Sequence, residues 1–244
     1  MRLLRVSSKD RAVDSASKYK INFSTNDTDL HQVRQIKLKS AIIPNTMYNI
    51  NQYNNIFRYK IAGVFGTDVV LTIGQYTLTD LMDSLAAQIL ADTTIVVGIA
   101  ENQRTRKLSF TTATDIEFLS KAQGNPLGDV LGIYTGSGAD TALFFADGLP
   151  NLMGLRHVYI GSNAMSNNTS MITNDKQKIN IFSDIPIDVP FGGLQTYVGD
   201  TSTLHYVDFA SKKNISSIDI TLVDENQNIL ELNGQDFVLV FAVY

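Results

Sequence analysis

Neither cysteine nor tryptophan occurs in this 244-residue chain. The first absence excludes disulfides, thiolate catalysis and cysteine-ligated zinc. The second removes the side chain that sugar-stacking sites favour most. Histidine is almost as scarce, at positions 31, 157 and 205, too far apart in sequence to offer a metal-ligand spacing. Charged residues make up only 18% of the chain, so much of the surface is uncharged and rich in Asn. No apolar run reaches the length of a membrane span, and Met1–Arg11 lacks the apolar centre of a secretory signal. The expectation is a chain made inside the cell, with no membrane span.

The net charge of −4 is unevenly distributed. Six basic residues against Asp10 and Asp14 give the first twenty positions a charge of +4, leaving −8 for the remainder. Residues 1–18 therefore read as a basic N-terminal arm, either facing nucleic acid or an acidic neighbour or simply solvated.

Beyond the arm, two-residue alternation is the commonest pattern. In Val33–Pro44, Ile36, Leu38, Ser40 and Ile42 are expected to face in, with Gln35, Lys37 and Lys39 out. Shorter strands are expected at Tyr19–Phe23, Ile56–Ile61, Leu155–Gly161, Lys178–Asp184 and Thr203–Phe209. Ser162–Lys176 and Pro186–Thr201 read as long loops. At the far end, Ile218, Ile220 and Leu222 alternate with polar residues; Asp224–Asn228 is a polar turn, and Asn233-Gly234 a second turn. Phe237–Tyr244 is apolar on both parities, as a central strand should be. Ile215–Tyr244 thus reads as a buried hairpin followed by a final core strand.

The middle of the chain differs. Thr77 with Asp80 forms a capping-box pattern, and Leu78, Leu81, Met82, Leu85 and Ile89 make one stripe, which predicts a helix over Thr77–Ala91. Strands are predicted at Asp68–Ile73, Thr94–Ala100, Arg106–Thr112 and Ile116–Leu119. The fold class is all-β: a jelly-roll β-sandwich over 19–61 and 139–244, with a small α+β insertion over 62–138.

Chemistry leaves little trace. Asp224–Asn228 begins like a calcium loop, but Ile229 stands where glycine is required and Gln235 where a bidentate glutamate belongs. The glycines at 124, 128, 132, 136 and 138 are not followed by Gly-Lys-Ser/Thr. His205 and Asp208 lie near Ser202, but on a strand they point to opposite faces. Asn45–Asn55 carries Tyr48 and Tyr53 without the interleaved cations that phosphate contact needs. No catalytic residue, cofactor or metal is expected. A carboxylate pair drawn from distant strands, as in a β-sandwich hydrolase, stays open.

Several stretches taken together resemble a known family. They are Ser7-Ser8-Lys9-Asp10-Arg11, the run Ile43-Pro44-Asn45-Thr46-Met47-Tyr48-Asn49-Ile50-Asn51 with Asn54-Asn55-Ile56-Phe57, Gly74-Gln75-Tyr76-Thr77-Leu78, Leu131-Gly132-Ile133, and Leu232-Asn233-Gly234-Gln235-Asp236-Phe237. Their order resembles the penton, or vertex minor capsid, proteins of virophages, polinton-like viruses and related large DNA viruses. That resemblance implies a non-enzymatic single jelly roll, often with an inserted domain. It implies a homopentamer at each five-fold vertex, beside trimers of a double-jelly-roll major capsid protein, with other minor capsid proteins or a spike as further partners. The chain would be made and assembled in the host cell and reside in the virion. Arg2, Arg5, Lys9 and Arg11 would then contact adjacent capsomers or the genome. The competing reading is a receptor- or glycan-binding jelly-roll module.

Overall fold

The computed structural model describes residues 1–10, 18–22, 30–139, 141–165, 171–174, 177–199 and 205–244. The chain divides into two compact units, Met1–Met47 with Leu155–Tyr244, and Tyr48–Gly154. The first unit opens with strands β1 (Arg2–Ser7), β2 (Lys18–Asn22) and β3 (Leu30–Pro44). The second carries β4 (Ile56–Phe57), β5 (Tyr59–Ile61), β6 (Val64–Phe65), β7 (Val69–Val70), helix α1 (Leu78–Thr93), β8 (Val97–Glu101), β9 (Leu108–Phe118), the short helix α2 (Gly128–Leu131) and β10 (Thr141–Phe145). The chain then returns to the first unit with β11 (His157–Gly161), β12 (Met171–Asn174), β13 (Gln177–Pro186), β14 (Leu194–Val198), β15 (Tyr206–Ile215), β16 (Ser217–Val223) and β17 (Val238–Val243).

Two five-stranded sheets build the first unit. One runs β1-β17-β3, with β14 and β15 sharing the remaining edge of β3; the other runs β12-β13-β11-β16-β2. Every pairing is antiparallel. Successive strands change sheets: β1 lies in the first, β2 in the second, β3 in the first, β11–β13 in the second, β14 and β15 in the first, β16 in the second and β17 in the first. That interleaving is a jelly roll. Its core includes Val6, Ile36, Leu38, Ile160, Ile220 and Phe241, each at most 1% exposed.

Four expectations for this unit need correction. Residues 2–7 are not an arm: β1 pairs along its length with β17, and Leu4 and Val6 pack on the core. In β3 the inward parity changes after Leu38, so that Ala41 and Ile43 are buried and Ile42 is 41% exposed. A bulge causes this: Val240 pairs with Ser40 and Phe241 with Leu38, leaving Lys39 as the extra residue. Ile215–Tyr244 does not fold back as a hairpin, because β16 and β17 belong to different sheets. The return at Ile229–Leu232 shrinks to one bridge between Val223 and Ile229. Finally, the loop expected over Pro186–Thr201 contains β14, and that over Ser162–Lys176 contains β12.

In the second unit β9 is the central strand, flanked by β8, β10 and β5. It is one strand where two were expected. Ala113–Asp115 is exposed, so the inward apolar signal lapses while the backbone runs on. Thr77 caps α1 with a complete capping box to Asp80, and Leu81, Leu85 and Ile89 are buried. Phe57, Phe110, Phe118 and Phe144 cluster in the core, with the Phe118 and Phe144 rings stacked at 5.2 Å. The expected insertion limits, 62 and 138, both fall inside this unit, because β4 pairs with β7 and β5 with β9.

Candidate assembly surfaces

Arg2 and Arg5 project from β1, with exposed side chains, and Lys9 is exposed on the short 3-10 turn beyond it. Arg11 lies outside the described residues. The end of β1 is fastened by Ser8, whose N–H donates to the Phe237 carbonyl at 3.1 Å and whose hydroxyl donates to Asp236 at 2.7 Å. The same hydroxyl accepts from the Phe237 N–H at 3.0 Å. The three described cations therefore ride on a sheet edge whose position is set by the core.

The short stretches that carried the family resemblance prove to be bonded to one another. Besides Ser8 with Asp236, Thr46 Oγ1 donates to the Leu232 carbonyl at 2.7 Å, and the Asn233 amide donates to the Thr46 carbonyl. In the second unit Asn49, only 5% exposed, donates to the carbonyls of Tyr76 and Leu152 and accepts from the Tyr76 N–H. Asn54 donates to the Asn49 carbonyl and Asn55 to that of Leu71. Much of the Asn content thus serves to pair loop backbone groups that no sheet ladder reaches. A composition reading assigns these residues to the surface; only the fold reveals their partners.

The chemical candidates are dispersed. The Asp224 carboxylate accepts from the backbone N–H groups of Asn226 and Asn228 and from the Asn228 amide, a self-contained polar turn. Gly132, at φ 76°, packs where an added Cβ would stand 2.5 Å from the Gly148 carbonyl oxygen, so close backbone packing explains it. His205 Nδ1 is 2.7 Å from the Ser183 hydroxyl, while Asp208 accepts from Gln35; Ser202 lies outside the described residues. Among the described residues no group of three or more His, Asp or Glu is placed to hold a metal. No helix among them is long and apolar enough to cross a membrane.

Several carboxylates act as braces. Asp219, on β16, accepts from the backbone N–H of Asn163 and Ala164 and from the Asn163 amide, holding the turn after β11. Asp147 accepts from the N–H groups of Tyr134 and Thr135 and from the Thr135 hydroxyl. Burial works to raise its pKa, but these hydrogen bonds outweigh burial and hold the group below the usual carboxylate range. Arg58 forms a two-pronged pair with Asp68, both contacts 2.7 Å, which lowers the Asp68 pKa and raises that of Arg58.

The outward face of the first sheet carries several exposed apolar side chains. Register puts Arg5, Val240, Ser40 and Val198 in one row across the strands, and Ser7, Val238, Ile42 and Thr196 in the next. Val198 is 73% exposed and Leu194, at the other end of β14, 62%. At the other end of the face Leu3 is 64% exposed, and the Lys37 ammonium lies 5.4 Å from the centre of the Tyr206 ring. Exposed apolar side chains gathered on one sheet face are a feature of interaction surfaces.

No protein-family model matches the chain, and no curated protein does. Among solved structures, the crystal structure of the mavirus penton protein covers 99% of this chain and 99% of its own, at 9% identity and a TM-score of 0.51. A chain of the Sputnik virophage, solved by cryo-EM, matches over 98% of this chain and 96% of its own, at 10% identity and a TM-score of 0.44. The likeness to the mavirus penton protein is therefore one of fold, and it runs the length of both chains.

Proposed function

We propose that this protein is a structural capsid protein that forms a pentamer at the five-fold vertices of an icosahedral virion. The observation that carries this reading is the end-to-end likeness in fold to a penton protein, which takes in both units rather than the common jelly roll alone. A jelly roll by itself hosts many functions. The apolar outward face of the first sheet supports assembly, since five copies in a closed ring each need surface to bury against two neighbours. The neighbouring partners in the shell are trimers of a double-jelly-roll major capsid protein, with other minor capsid proteins or a spike. Arg2, Arg5, Lys9 and Arg11 contact those capsomers or the genome. The protein works by packing and carries no catalytic site.

Negative-stain electron microscopy of the purified protein tests the reading. Rings of five are the expected result; monomers that persist at high concentration count against it.

A further inference from the structure

In a pentamer, the exposed outward face of the first sheet is a candidate contact surface. It carries the exposed apolar residues Leu3, Leu194 and Val198 together with the cations Arg5 and Lys37. Self-pairing of this face would set those cations against their own copies, and a two-fold contact does not close a five-membered ring.

The outward face of the second sheet is complementary. Tyr159 on β11 lies between Asp184 on β13 and Val223 on β16. Its ring stacks on His157 at 6.1 Å, an aromatic platform for apolar contact. Asp184 has a side chain 50% exposed, and Glu225 sits on the exposed turn just after β16. His157 Nδ1, 3.5 Å from Asp184, makes no hydrogen bond to it. Burial first, and then the nearby charges of Asp184 and Glu225, raise the Tyr159 pKa.

We propose that the outward face of the first sheet of one copy docks on the outward face of the second sheet of its neighbour, with Arg5 and Lys37 meeting Asp184 and Glu225; this moves Arg5 into the ring and leaves Arg2, Lys9 and Arg11 for the capsomers or the genome. This rests on the pentamer reading and specifies its interface: a heterologous contact that uses each sheet once and repeats around the ring. Apolar surface supplies the burial, while the charge pairs select the orientation.

Charge exchange tests it. Arg5→Glu with Lys37→Glu is expected to weaken ring formation at least about tenfold, as is Asp184→Lys with Glu225→Lys. The chain carrying all four changes should recover rings. Circular dichroism checks that each variant folds; Arg5→Glu alone, at an exposed position, serves if the pair does not. The absence of cysteine allows a second reading: Val198→Cys combined with Tyr159→Cys, treated with a short bis-maleimide, should give covalent ladders up to five copies. Val198→Cys alone should give none. Wild-type pentamers that ignore the charge reversals, a four-fold variant that folds but stays monomeric, or cross-linked dimers from Val198→Cys alone overturn this interface and leave the vertex reading standing. A wild-type protein that never assembles overturns both.

Discussion

Removing residues 1–8 distinguishes a strand from an arm. If the basic N-terminus were a tether, its loss would leave the fold as it is. The structure requires the opposite, because β1 is an integral strand of the first sheet. Val6 is fully buried, which is worth about 2 kcal/mol, and the partly buried Leu4 adds about 1 kcal/mol. The two hydrogen bonds of the Ser8 hydroxyl contribute about 1 kcal/mol each. The deletion also uncovers Leu239 and Phe241, now fully buried, so about 5 kcal/mol is a lower figure. A domain has only about 5–15 kcal/mol in total. The jelly-roll unit should therefore melt at least about 10 °C lower than in the full chain, or fail to fold. Calorimetry follows this well, since two units can give two transitions. Replacing Arg2, Arg5 and Lys9 by Ala instead should leave the melting curve within about 0.5 kcal/mol, because all three are exposed. A deletion variant that melts with the intact protein would refute the assignment of β1 to the core.

Individual contacts carry further expectations. Leu81→Ala should destabilise the second unit by about 2–5 kcal/mol in a denaturant titration, because Leu81 is fully buried under α1. Thr77→Ala should cost about 1 kcal/mol by the same measurement, through loss of the capping box. Asp219→Ala should free the turn at Asn163–Met165, read as faster amide exchange at Asn163 and Ala164. Asp68 and Asp147 both have folded pKa values depressed below 3.8. Their stabilisation is complete above that value and is lost as pH falls through the lower folded values, so the second unit should weaken in acid below about pH 4. Asp147→Ala should reduce that dependence; an unchanged acid profile would count against the brace at Asp147.

Sequence patterning conveyed some elements and not others, for physical reasons. The helix was legible because its cap and its stripe at Leu81, Leu85 and Ile89 are local signals. The inward residues Ile218, Ile220 and Leu222 of β16 were legible for the same reason. The bulge at Lys39 was not, since it is defined only by the partner register on β17. Nor was the strand character of Arg2–Ser7: the charges of Arg2 and Arg5 masked Leu4 and Val6, whose environment comes from residues more than two hundred positions away. The apolar content of β17 on both parities does mark a central strand, flanked by β1 and β3. It also records an outward face that is not finished by the first sheet itself, with Val238 and Val240 only half-buried. Ser8 and Thr46 bond to the Leu232–Phe237 stretch and Asn49 to Tyr76, contacts between distant positions that local patterning does not convey.

The central claim is a place in a particle, and cryo-electron microscopy of assembled particles containing this chain tests it most directly. The account predicts density at each five-fold vertex into which five copies fit, with the interleaved two-sheet jelly roll and the β9-centred second unit both resolved. Vertices filled by a different chain, with this protein elsewhere in the particle or lost on purification, would contradict it.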